Sequence, residues 1–216
     1  ERPIYWAITV GRDKYLNLQD YFQLEGFAYR LVPIKSQSQP DKLAFGSVAS
    51  DIMYDNMMNK FKWGNINDPN IYVDENNARM MTNVTNTFNR LSAQLIAEGK
   101  MDSAIAVIDR CFELNPAYVS APGYFTIELA GNYFKAGAVE KGKKALEDLN
   151  NWFNDDLSYY LSLDRKFMMS KSIQEEIQRT LFFLQLIQRT AQANGQDEIA
   201  KKAEAAMQQG LSKLNM

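Results

Sequence analysis

From Phe88 to Pro116 the chain reads FNRLSAQLIAEGKMDSAIAVIDRCFELNP, and its apolar positions recur three and four residues apart on either side of Gly99. Such spacing predicts two amphipathic helices. Leu91, Leu95 and Ile96 form one stripe, and Ala104, Ile108 and Cys111 form a facing one. Pro116 has no amide proton to continue a helix and ends the second segment. The frame returns at Gly137, 38 residues on, where Leu129, Ala130 and Tyr133 precede the glycine and Gly142, Leu146 and Leu149 follow it. A weaker third copy centres on Gly195, with Leu184, Ile187 and Ala191 before the turn and Ala200 after it. In that copy Gln188 stands where a small residue is expected and Glu204 where a large apolar one is. Because Gly195 lies 58 residues beyond Gly137, the pattern predicts an inserted segment at about 155–172.

The N-terminal third follows a different rhythm. PIYWAITV (3–10) and FAYRLVPI (27–34) are rich in β-branched and aromatic residues, which predicts two short paired strands. Between them, Tyr15 to Leu24 is expected to form a turn or short helix. SQSQPD (36–41) reads as a polar linker. Helical spacing of Ile52, Met53, Met57 and Phe61 predicts a helix from Ser47 to Trp63 that stops at Gly64. NINDPN (65–70) is a loop, after which Asp74 is placed to cap a long helix from Glu75 to Ala97. No proline follows Pro122, which suits helices throughout.

Repeated helix pairs with a period of about 34 residues are the signature of tetratricopeptide (TPR) units. The expected fold is therefore mainly α: TPR-like antiparallel helix pairs in a right-handed α–α superhelix, preceded by a small α+β segment with two short strands. The domain boundary is expected near 73/74. The repeat units fall at about 85–118, 123–154 and 181–214.

Composition narrows the chemistry. Histidine is absent, which removes His-based triads, dyads and metal sites. A single cysteine, Cys111, excludes an internal disulfide and a cysteine zinc site. It sits on an apolar stripe and is expected in the core. The net charge of −2 gives no electrostatic basis for nucleic-acid binding. No apolar run reaches the roughly 18 residues of a membrane span, so no direct membrane insertion of this chain is expected. No cofactor, metal or catalytic residue is expected either.

Several short motifs have simpler structural explanations. GAVEKGKK (137–144) approaches a phosphate-binding loop, but Lys144 stands where Ser or Thr must reach magnesium, and the context is helical. Asp155-Asp156 and Glu175-Glu176 are expected at helix starts, where carboxylates interact favourably with the helix dipole. Asn83-Val84-Thr85 is a formal N-glycosylation signal inside a predicted helix. Asp102-Ser103-Ala104, which resembles a short bacterial O-glycosylation signal, is expected to cap and pack a helix. At least half of the ten methionines are expected in the core.

In TPR folds the first helix of each pair lines a groove. That face carries Asn86, Asn89, Ala93 and Ile96 in the first unit, and Tyr124, Ile127, Gly131, Phe134 and Lys135 in the second. The mixture suits an extended peptide or partner helix. The groove could equally be filled by the chain's own N-terminal segment or by the insert. Trp63, Tyr72, Asp74 and Arg79 form an alternative site for carbohydrate, provided the tryptophan is exposed. Their structural role would be to pin the 65–70 loop onto the long helix.

RPIYWAITVG (2–11), YFQLEGFAYRLVPIK (21–35), MYDNMMNKFKWGN (53–65) and YVDENNARMM (72–81) carry a further resemblance that extends over essentially the whole chain. These phrases resemble the C-terminal soluble region of a bacterial polytopic membrane-protein family of unknown function, itself similar to protein O-mannosyltransferases. The resemblance implies an extracytoplasmic, periplasmic-face domain that scaffolds a membrane glycosyltransferase-like protein, with the catalytic groups elsewhere in the parent. Its partner would be a protein or peptide, which could be the membrane-embedded part of the same polypeptide. A free-standing TPR adaptor, cytoplasmic or in the envelope, is the alternative.

Overall fold

The computed structural model describes residues 2–36 and 45–214. It is mainly helical, with a small sheet at the N-terminus. The chain divides into two compact units, Glu1–Ala121 and Pro122–Met216. The division thus falls about fifty residues beyond the 73/74 boundary read from the sequence. The first helix pair belongs with the sheet because aromatic residues of the two share one core.

In the N-terminal unit, β1 (Tyr5–Ala7) and β3 (Ala28–Leu31) pair antiparallel as expected, with Trp6 opposite Tyr29. Two strands were not foreseen. β2 (Phe22–Leu24) lies antiparallel to β3, and β4 (Ser47–Val48) runs parallel to β2. The order is β1-β3-β2-β4. The helix predicted from Ser47 therefore starts later, as α1 (Ser50–Asp55), and closes in a π-helical turn at Asn56–Lys60. Ser47 and Val48 are drawn into the sheet because they pair with Gln23 and Leu24. Of the predicted linker, residues 37–41 lie outside the described residues.

α2 (Glu75–Ala97) begins at the predicted cap, where the Asp74 carboxylate accepts from the amides of Asn76 and Asn77 at 2.8 and 3.0 Å. These amides have no partner inside the helix, so the cap supplies it. α3 (Met101–Leu114) returns across Gly99. The C-terminal unit repeats the device with α4 (Tyr124–Lys135) and α5 (Val139–Ser162) about Gly137, and with α7 (Lys171–Ala193) and α8 (Asp197–Leu214) about Gly195. All three glycines have positive φ, between 68° and 82°. At the first, the amide of Gly99 donates to Ile96 O and that of Lys100 to Leu95 O. This pair of bonds satisfies the last carbonyls of a helix and needs a left-handed residue between them. Gly137 with Ala138 and Gly195 with Gln196 make the same two bonds.

The insert expected at 155–172 is mostly an extension of existing helices. α5 runs on to Ser162 and α7 starts at Lys171, leaving only the four-residue α6 (Arg165–Met168) and its flanking turns. Asp155 and Asp156 consequently lie within α5 and not at a helix start. Asp156 accepts a bond from the buried Thr180 hydroxyl at 2.8 Å, tying α5 to α7. Phe153 and Phe183 join the same two helices, ring to ring at 5.1 Å. Gly142, the second glycine of the phosphate-loop lookalike, is small for a packing reason. A Cβ there would stand 2.7–2.9 Å from the Phe134 ring.

The methionines divide by helical geometry. Met53, Met57 and Met81 are buried, Met58, Met168 and Met207 half-buried, and Met80, Met101 and Met169 exposed. Full burial is thus rarer than expected. The two members of each doublet differ in burial, because neighbours on a helix point about 100° apart.

Candidate functional site

Polar residues on α2 at Asn83, Asn86, Thr87 and Arg90 are spaced i, i+3, i+4, i+7 and share one face. Together with residues of the sheet they line a half-open cavity of about 260 Å³ within the N-terminal unit. The opposite wall comes from Ile8, Val10, Gly11, Arg12, Tyr15, Leu24, Tyr29 and Phe45. One part of the expected groove, the face around Asn86, is thus covered by the chain's own N-terminal segment, the alternative allowed for above.

Arg90 holds this site together. Its Nη1 donates to the Tyr29 hydroxyl at 3.0 Å, and its Nη2 to Phe45 O at 3.0 Å and Gly46 O at 3.4 Å. The guanidinium carbon also lies 5.8 Å from the centre of the Tyr29 ring, within cation–π range. Across the cavity, the Arg12 guanidinium sits 5.3 Å from the centre of the Phe45 ring. Tyr15 donates to Val10 O at 2.8 Å, which fixes the 8–12 turn, and its phenol is raised above its ordinary value chiefly by burial. Thr87 satisfies itself by bonding back to Asn83 O at 2.8 Å. The Asn86 carboxamide has no hydrogen-bond partner among the described residues.

The lining contains two guanidinium groups, two carboxamides and aromatic rings, and no Asp, Glu, Cys or Lys. Its hydroxyl-bearing titratable groups are Tyr15, which donates to Val10 O, and Tyr29, which accepts from Arg90. Most of its donors are already used within the protein, which leaves the Asn86 carboxamide to meet an incoming polar group.

Other expected groove residues fare differently. Asn89 and Ile96 are half-buried and Ala93 is exposed on α2. In the C-terminal unit Ile127 and Gly131 are buried core, which corrects their assignment to a binding surface. A Cβ on Gly131 would already touch Thr190 Cγ2 at 3.4 Å. Phe134 is spent on covering Gly142, and Tyr124 donates to Glu128 at 2.7 Å. Lys135 is exposed and bonds to Asn132 at 3.0 Å.

The alternative cluster does not converge. Trp63 packs its ring on Phe27, Phe61 and Phe88, with the Phe88 centroid at 5.7 Å. Trp63 is half-buried, and its contact with Phe88 ties residue 63, not the 65–70 loop, to α2. Tyr72 is 88% exposed, Asp74 is occupied as a helix cap, and Arg79 pairs with Glu75 one turn away. The 65–70 loop is held instead by Tyr118, whose hydroxyl donates to Asn67 O at 2.6 Å.

Cys111 is buried, and burial pushes its thiol up to about 12 despite an opposing hydrogen bond from Thr85. Because the thiolate is the reactive form, the native protein is expected to resist iodoacetamide at pH 8 and to be labelled only in denaturant. Mass spectrometry would show this, and rapid labelling of the native chain would contradict the burial.

Residues 1–52 match the family model of TMEM260-associated domain 2. The matched stretch contains all four strands and the start of α1, so it coincides with the sheet that walls one side of the cavity. No curated protein and no solved structure matches the chain. Through residues 1–52 the chain is similar to a domain of membrane-associated proteins.

Proposed function

We propose that this chain is a non-catalytic interaction domain of a membrane-associated, glycosyltransferase-like protein. The observation that carries the interaction reading is the cavity between α2 and the sheet, in whose lining the Asn86 carboxamide has no partner among the described residues. Its volume of about 260 Å³ suits one side chain and is too small for a helix. Its lining suits a carboxylate or carboxamide. The partner is then a polypeptide that inserts one acceptor-bearing side chain, and the membrane-embedded part of the same protein is a natural source. Membrane association is supported by the similarity of residues 1–52 to a TMEM260-associated domain. The glycosyltransferase-like parent and the extracytoplasmic side are supported by the sequence resemblance. A free-standing adaptor built of TPR-like helix pairs is the second reading, favoured by the three matching glycine turns.

Two measurements test this. An antibody against the chain, applied to fractionated cells of the source organism, is expected to detect a membrane-bound product far larger than 24.7 kDa. A soluble product near that mass would sink the membrane reading and favour the adaptor. A photoreactive residue replacing Asn86 in the native protein is expected to give a discrete crosslink to polypeptide, absent when the same residue replaces the exposed Glu204. Equal crosslinking from both positions would remove the cavity as the contact.

A further inference from the structure

Between α5 and α7 the chain reads LDRKFMMSK (163–171), three cations against one acid in a chain of net charge −2. Here Phe167 is 59% exposed and Met169 46% exposed, while Tyr159, one turn before the end of α5, is 60% exposed. Single exposed apolar residues are ordinary on protein surfaces. This group is different in that it is concentrated at one helix connection, with Arg165, Lys166 and Lys171 close to it in sequence and Asp164 the one acid among residues 163–171. Arg165 and Lys166 have no ion-pair partner, and Phe167 no ring contact, among the described residues. Lys171 reaches Glu175 only at 3.8 Å, with its side chain 91% exposed.

The exposure is built into the fold. The amides of Phe167 and Met168 donate to Asp164 O, that of Met169 to Arg165 O and that of Ser170 to Phe167 O. The Gln174 carboxamide donates to Met168 O at 2.7 Å. The turn therefore satisfies much of its own backbone and can enter a drier medium without leaving those peptide groups bare. Apolar side chains flanked by lysine and arginine, with tyrosine alongside, match a bilayer interface in which acyl chains lie below anionic headgroups.

We propose that the α5–α7 turn seats on an anionic lipid surface. Phe167 and Met169 enter the boundary between headgroups and acyl chains, and Arg165, Lys166 and Lys171 lie against the phosphates. The contact is interfacial, since no helix among the described residues is long and apolar enough to cross a membrane. It departs from the expectation that no part of the chain enters a bilayer. It is independent of the cavity, which lies in the other unit.

The test is sedimentation of the whole chain with vesicles of phosphatidylcholine and phosphatidylglycerol at three to one, against phosphatidylcholine alone. Binding is expected on the anionic vesicles and is expected to weaken with added salt. Replacing both flanking cations (R165Q with K166Q) should weaken the partition about 25-fold, at roughly fivefold per charge near the surface. Phe167→Ser with Met169→Ser should weaken it by about tenfold or more. All four positions are exposed or half-exposed on a short turn, and circular dichroism checks that the helices persist. No binding to anionic vesicles would overturn the proposal, as would binding that neither double variant changes.

Discussion

Phe88→Ala is expected to cost about 3–5 kcal/mol of stability, the range for truncating a fully buried aromatic ring. Phe88 has no exposed surface and contacts the Trp63 ring, through which α2 is joined to Phe27 and Phe61. Alanine leaves a cavity that three neighbouring rings cannot fill without giving up their own contacts. Domains are typically stable by about 5–15 kcal/mol, so the N-terminal unit would lose roughly a fifth or more of its margin. Urea unfolding followed by tryptophan fluorescence measures the change. Phe182→Ala is the control, since that ring is about half-exposed and is expected to cost under about 1 kcal/mol. If both variants shifted the midpoint equally, the aromatic cluster would not be the core described above.

Gly46→Ala is expected to cost about 2–4 kcal/mol, from two separate causes. The residue sits at φ +75°, which an L side chain adopts only at about 1–2 kcal/mol. A Cβ would also lie 2.6 Å from the backbone oxygen of Phe22, and a backbone atom cannot swing aside. The forced shift would act on the β2–β4 pairing next to it and on the carbonyls of Phe45 and Gly46 that accept from Arg90. Thermal unfolding should therefore show a much larger drop than for Gly64→Ala. Gly64 has a similar φ of +62°, but nothing stands within 4 Å of its Cβ position. Equal drops in the two variants would mean that conformational strain alone acts at Gly46 and that the close approach to Phe22 is not real.

The helices were legible because their signals are local. Asp74 caps α2 where its side chain reaches the next free amides, and each turn glycine stands where a left-handed residue closes a helix end. The bounds of α2 agree with the sequence reading to the residue. The strands were legible only in part. β1, itself three residues, and β3 lie inside longer aromatic and β-branched runs at 3–10 and 27–34, whereas β2 and β4, of three and two residues, lie in no such run. They become strands because β3 supplies a partner for β2, and β2 in turn supplies one for β4.

The cavity shows the same division. Its helical wall was within reach, since Asn86 was singled out and Asn83, Thr87 and Arg90 follow from it at helical spacing. The facing wall was not, because Arg12, Tyr15, Tyr29 and Phe45 are scattered through 34 positions with no common period. Ile127 and Gly131 misled for a related reason. Helical spacing identifies residues that share a face, but which face becomes buried depends on the helix that packs there. α7 brings Thr190 against Gly131.

By itself the sequence determined the absence of histidine chemistry, from composition, and the helix pairs, their glycine turns and the cap on α2, which depend on residues within a turn or two of one another. The tertiary structure decided that Trp63 packs against Phe88, that Arg90 is bound to the sheet, and that Phe167 stands exposed. Those outcomes depend on which distant surfaces meet, because burial and hydrogen-bond partnership are properties of the assembled core and not of any single segment.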